Sequence, residues 1–76
     1  MKTGTYKHYK GGLYTVHGVV MHSETGEKMV LYSSDEYPEL FSEYGNPTHF
    51  VRPYEMFNET IVVGGQKIKR FTCLED

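Results

Sequence analysis

Four histidines, two arginines and one cysteine are the residues of this chain that invite a chemical reading. His8, His17 and His22 with Glu24 supply imidazole and carboxylate, ligands suited to zinc or a similar ion. Their spacing works against a shared site. His17 and His22 are five residues apart, so on an unbroken strand they face opposite sides. Only a bulge at Gly18 would change that parity. We therefore expect no metal site and no cofactor.

Catalysis is the next chemistry to weigh. A general base needs an orienting partner and a sheltered cleft. His22 with Glu24 is the one local pair of that kind, and Ser23 and Thr25 beside it serve equally well as turn-forming hydroxyls. Cys73 lies close to the C-terminal end, where chains fray. No catalytic residue is assigned, and a small enzyme using His22 and Glu24 is the least favoured reading.

Arg52 is the most informative charge. It sits between Val51 and Pro53, in a short run that reads as a strand. Arg is rarely buried unpaired, so it needs an internal acid or a ligand anion. Glu24, in the hairpin segment Ser23-Glu24-Thr25, is the favoured acid. A guanidinium is also a planar fork suited to carboxylate or phosphate. The ligand-binding candidates are Tyr9, Lys10, His22, Glu24, Arg52 and Arg70.

The elements that must position these residues are short strands. Tyr6 to Tyr9 alternates aromatic with basic residues, and Lys10-Gly11-Gly12 breaks it as a turn. Leu13 to His22 is the strongest strand, with Tyr14, Val16, Val20 and His22 on one face if it is regular. Gly18 in its middle marks a bulge or bend. Lys28 to Tyr32 is its hairpin partner. Ser33 to Thr48 is a long connection in which Pro38 opens and Gly45 closes a short helix lined by Leu40, Phe41 and Tyr44. His49 to Arg52 is a strand, and Tyr54 to Asn58 is one helical turn whose Met56 and Phe57 plug the fold. Thr60 to Val63 and Gln66 to Thr72 flank Gly64-Gly65, a two-residue hairpin signal. The sum is an all-β fold: a small SH3-like barrel of five or six short strands with one or two short helical turns. Tyr14, Val16, Val20, Val30, Tyr32, Val51, Met56, Phe57, Ile68 and Phe71 are its expected core.

Bulk properties narrow the function classes. A chain of 76 residues is expected to form one domain with a small core, too small to wall in a large cofactor. Eleven Tyr and Phe residues must supply much of that core. The net charge of −2 hides an uneven spread: residues 1–22 hold three lysines and no acid, and residues 23–47 are strongly acidic. That balance opposes nonspecific nucleic-acid binding. A nucleic-acid module remains an alternative, with Tyr6, Tyr9 and Tyr14 interleaved with Lys2, Lys7 and Lys10. One cysteine excludes an internal disulfide, and no apolar run suits a signal peptide or a membrane span. A cytoplasmic protein, monomer or homodimer, is expected.

The ordered motifs resemble one family. Gly4-x-Tyr6-x-His8-Tyr9-Lys10-Gly11 precedes Tyr14-x-Val16, then His22-Ser23-Glu24-Thr25 and Val30-x-Tyr32. Val51-Arg52-Pro53-x-x-Met56-Phe57 and Arg70-Phe71 complete the set. In this order they resemble the bacterial domain-of-unknown-function family 1653. Phe50 stands where that family has Trp, which keeps an aromatic at the position, and the segment from Tyr37 to Thr48 is longer. The resemblance implies a compact bacterial domain and assigns no activity. Residue chemistry and fold analogy together suggest a non-catalytic recognition module for a peptide, a protein or a small anionic ligand.

Overall fold

The computed structural model describes residues 1–75. Its strands are β1 (Gly4–His8), β2 (Leu13–Met21), β3 (Lys28–Ser34), β4 (Thr48–Pro53), β5 (Thr60–Val63), β6 (Gln66–Lys69) and β7 (Phe71–Cys73). A 3-10 turn at Pro38–Leu40 runs into α1 (Phe41–Tyr44), and α2 (Tyr54–Phe57) follows β4. The fold is all-β, with seven strands in two antiparallel sheets rather than five or six strands in one. The larger sheet has the order β4-β3-β2-β1-β7, and β5 pairs with β6 alone. Its two outer strands, β4 and β7, share no ladder. They meet through side chains, because the Arg52 guanidinium lies 5.2 Å from the centre of the Phe71 ring.

Turn chemistry explains the connections. Gly64 and Gly65 take φ of 57° and 80°, the paired positive values of a type I′ turn between β5 and β6. Pro38 opens the helical segment as its missing N–H allows, and Gly45 ends it with φ of 93°. In α1 the expected inner face is only partly inner: Leu40 and Phe41 are half-buried and Tyr44 is exposed.

The bulge expected at Gly18 is present, and it redirects half a strand. Val16 pairs with Tyr32 and Gly18 with Leu31, leaving His17 as the extra residue. Beyond it Val19, not Val20, lies in the cross-strand row of Val30. Val20 is thus turned off the Val30 row, contrary to the unbroken parity, and at this end of the strand Val19 and Val20 are both exposed. Val51 is also exposed, because it pairs with Leu31 on the outer face, while Phe50 and Arg52 share the inner face with Tyr32 and Val30. Met56 is exposed too: α2 is a single turn in which Phe57 is buried and Tyr54 packs at the core's edge. Ile68 is half-buried, since its hairpin stands outside the main sheet.

The core is aromatic. Tyr6, Val16, Val30, Tyr32, Phe57 and Phe71 form one buried cluster, with Tyr14, Phe50, Tyr54 and Cys73 packed against it. Phe57 and Phe71 stack at 4.0 Å between ring centres, and Tyr32 meets both edge-on. Fully burying one such ring is worth about 1.5–3 kcal/mol, so a few rings outweigh any surface ion pair here. Cys73 is not in a frayed end. It pairs with Tyr6 across the β1–β7 ladder, and just beyond it Glu75 accepts the Thr5 backbone N–H at 2.8 Å.

Candidate functional site

The turn after β1 is tightly made. His8 N–H donates to the Gly12 carbonyl and Gly11 N–H to the His8 carbonyl, both at 2.8 Å. The Lys10 backbone N–H donates to His8 Nδ1 at 3.1 Å. That bond requires an unprotonated Nδ1, so the neutral ring carries its hydrogen on Nε2. Tyr9 N–H donates to the Arg70 carbonyl at 2.9 Å, which fastens this turn to the start of β7.

Around this turn lies a cavity of about 440 Å³. Arg52 reaches it from the inner face of β4, Arg70 from the β6–β7 junction, and Lys10 from the turn itself. His8, Tyr9, Gly12, Tyr14 and Tyr37 complete its lining. Among the described residues no carboxylate lines it. Arg70 is held by Glu59: its Nη2 lies 2.9 Å from Oε1, and its backbone N–H donates to the Glu59 carbonyl at 3.0 Å. Its Nε is buried without a hydrogen-bond partner.

The electrostatics follow from this crowding. Burial foremost, then the charges of Arg52, Arg70 and Lys10, hold His8 below its ordinary pKa of 6.5. Tyr14 and Tyr37 share a hydroxyl–hydroxyl bond at 2.5 Å. Burial and that bond push the Tyr14 phenol well up, so it stays protonated.

Four of the six sequence candidates thus come together: Tyr9, Lys10, Arg52 and Arg70. His22 and Glu24 do not. His22 Nδ1 accepts the backbone N–H groups of Glu24 at 3.1 Å and Thr25 at 3.4 Å, so this imidazole organises its own hairpin. The expected Arg52–Glu24 pair does not form. The Arg70–Glu59 bridge is the one ion pair among the described residues, and Arg52 rests on Phe71 instead. The reason is register. Arg52 sits opposite Val30, whereas Glu24 lies past the last β2–β3 pair, Met21–Lys28.

Sequence reasoning missed His8 and Tyr37 as members of the site. The His8-x-Lys10 spacing, with two glycines following, was the available signal for His8. Tyr37 carried none, because it arrives from a connection with no periodicity. His17 and His49 stack at 5.1 Å on the other side of the sheet, with His17 Nε2 at 2.7 Å from Ser33 Oγ. Among the described residues, no three His, Cys, Asp or Glu side chains are grouped to hold a metal. A larger cleft of about 710 Å³ lies beside α2, but Glu27, Glu55 and Glu59 face it and its Lys28 is engaged over the Tyr54 ring at 3.9 Å. No helix among the described residues is long and apolar enough to cross a membrane.

No curated protein matches this sequence. A crystal structure of a DUF1653 protein from Bordetella bronchiseptica is similar, with a TM-score of 0.76 and 25% identity over 97% of this chain and 87% of that one. The sequence model of the family described as "Protein of unknown function (DUF1653)" matches residues 4–73. The ordered motifs, the shared fold and this nearly full-length match agree: the chain belongs to the DUF1653 family.

Proposed function

We propose that this protein is a non-catalytic recognition module for a small anionic ligand, bound in the cavity beside the β1–β2 turn. One observation carries the reading. Lys10, Arg52 and Arg70 arrive from three separate elements at a cavity that no carboxylate among the described residues lines. Cations brought together against their mutual repulsion, with a neutral imidazole N–H among them, suit an anion that offers several acceptors. The curled sheet is read as a variant of the SH3-like barrel, which binds at its rim; that step is fold analogy. A cytoplasmic setting fits the free Cys73.

Nucleic acid is the weaker alternative. Tyr6 is buried in the core and Tyr14 packs against it, which leaves Tyr9 as the one exposed ring of the three. A stacking platform needs several.

The test is a titration of the protein with inorganic phosphate and with acetate, followed by backbone amide spectra. Shifts should centre on Lys10 and Gly12 and vanish in Arg52→Met. Shifts confined to Lys67 and Lys69, or none at saturating anion, would sink the reading. Oligonucleotide binding that weakens steeply with salt would favour the alternative.

A further inference from the structure

Resting on the anion-site reading above, we propose that the cavity selects a doubly charged anion, a phosphate monoester, over singly charged carboxylates and sulfate esters. Charge is the first argument. Three cationic side chains line the cavity, and Glu59 at 2.9 Å offsets one of them, Arg70. Among the described residues Lys10 and Arg52 form no ion pair. Glu36 does not line the cavity: its Oε1 accepts the Leu13 backbone N–H at 3.0 Å, and its charge acts on the wall residue Tyr14. Two positive charges are therefore left unmatched, and a monoester dianion supplies about two negative ones.

Donor count is the second argument. A phosphate monoester presents three terminal oxygens, each a strong acceptor. Arg52 offers a planar fork of N–H groups, and Lys10 a mobile ammonium. His8 adds its Nε2–H, a tautomer set by the Lys10 backbone bond to Nδ1. The Tyr14–Tyr37 pair holds two hydroxyl hydrogens and uses one in its mutual bond, so one remains to donate outward. These groups come from different elements of the fold, which suits a tetrahedral group better than a flat carboxylate.

The third argument is the response of His8. Its proton affinity is already reduced by burial and by three cations. A bound dianion cancels the two unmatched positive charges and relieves the repulsion that helps depress that affinity, and a monoanion does so only in part. The cavity volume of about 440 Å³ leaves room for an organic substituent beside the phosphate.

Phenyl phosphate and phenyl sulfate have nearly the same shape and differ in charge, so they form the decisive pair. Both are titrated calorimetrically at a pH well above the phosphate's second pKa of about 6. Phenyl phosphate should bind at least about tenfold more tightly, a difference of about 1.4 kcal/mol. Lys10→Met should shrink that ratio toward one, and Arg52→Met should weaken both ligands. Arg52→Lys, which keeps the charge, should retain the preference even if Arg52→Met fails to fold. Adenosine 5′-monophosphate and O-phosphotyrosine extend the series: tighter binding of either supports the proposal and says whether a nucleotide or a protein side chain is the source. Equal affinity for phosphate and sulfate esters overturns the dianion proposal and leaves the anion site standing. No binding of either ester at millimolar concentration overturns both.

Discussion

Two turns in this molecule are built from nearly the same parts and have different fates. In His8-Tyr9-Lys10-Gly11 and in His22-Ser23-Glu24-Thr25 a histidine Nδ1 accepts the backbone N–H two residues on, at 3.1 Å in both. In both, the histidine carbonyl also accepts a later glycine N–H, from Gly11 or from Gly26, at 2.8 Å. The local device is the same; the surroundings are not. The first turn is fastened to Arg70 by a backbone bond and faces Arg52 across the curled sheet. The second extends past the end of the β2–β3 ladder, and all its residues are exposed. A histidine turn becomes a candidate site when distant strands bring partners to it.

The comparison breaks most severely at Phe71, which supports the first turn and has no counterpart at the second. Phe71 stacks on Phe57 and carries Arg52 on its ring. Phe71→Ala should cost about 3–5 kcal/mol in denaturant unfolding, as large-to-small changes at buried rings do. A loss below about 1 kcal/mol would mean the seam is not anchored there.

A change at the other turn should be milder. His22→Ala leaves two exposed N–H groups that water can satisfy, so stability should fall by about 1 kcal/mol or less. Anion binding should be untouched, and a loss of phosphate binding in His22→Ala would place the second turn back in the site. At the first turn the corresponding signature is pH. The folded pKa of His8 lies below 6.5, so the unfolded chain binds the proton more readily. The neutral ring's contribution is complete above pH 6.5 and is lost as pH falls from there through the lowered folded value. His8→Gln should flatten the fall in stability over that window, measured by urea midpoints. An unchanged slope would remove His8 from the cluster.

The smallest expected effect sharpens the contrast between the turns. A double-mutant cycle on Arg52→Met and Glu24→Gln should be additive within about 0.3–0.5 kcal/mol, since the two residues do not touch. Coupling well above that would restore the ion pair that sequence reasoning favours.

Local signals were readable and long-range ones were not. Gly64-Gly65, Pro38 with Gly45, and the irregularity at Gly18 each act within a few residues, and each is found where the sequence puts it. The bulge was legible as a bend, but which residue it would extrude was not, so Val20 was placed on the wrong face. Arg52 stood out because a charge on a short apolar strand needs a partner. Its partner depended on how far the sheet curls, which is settled by ring packing across β3, α2 and β7 rather than by any local pattern. The same curl brings Tyr37 to Tyr14 and leaves Glu24 remote.

The seam between β4 and β7 also sets the mechanical character of the site. Every other junction in the larger sheet is a hydrogen-bonded ladder that resists shear along its length. At this line the strands are joined by a guanidinium on a ring, a contact worth about 0.5–1 kcal/mol where water reaches it. Parting the edges there breaks no ladder bond, so opening along this line is resisted by side-chain packing alone, the Arg52–Phe71 contact and the Phe57–Phe71 stack behind it. Arg52 sits on that line, so the residue that closes the seam also lines the cavity.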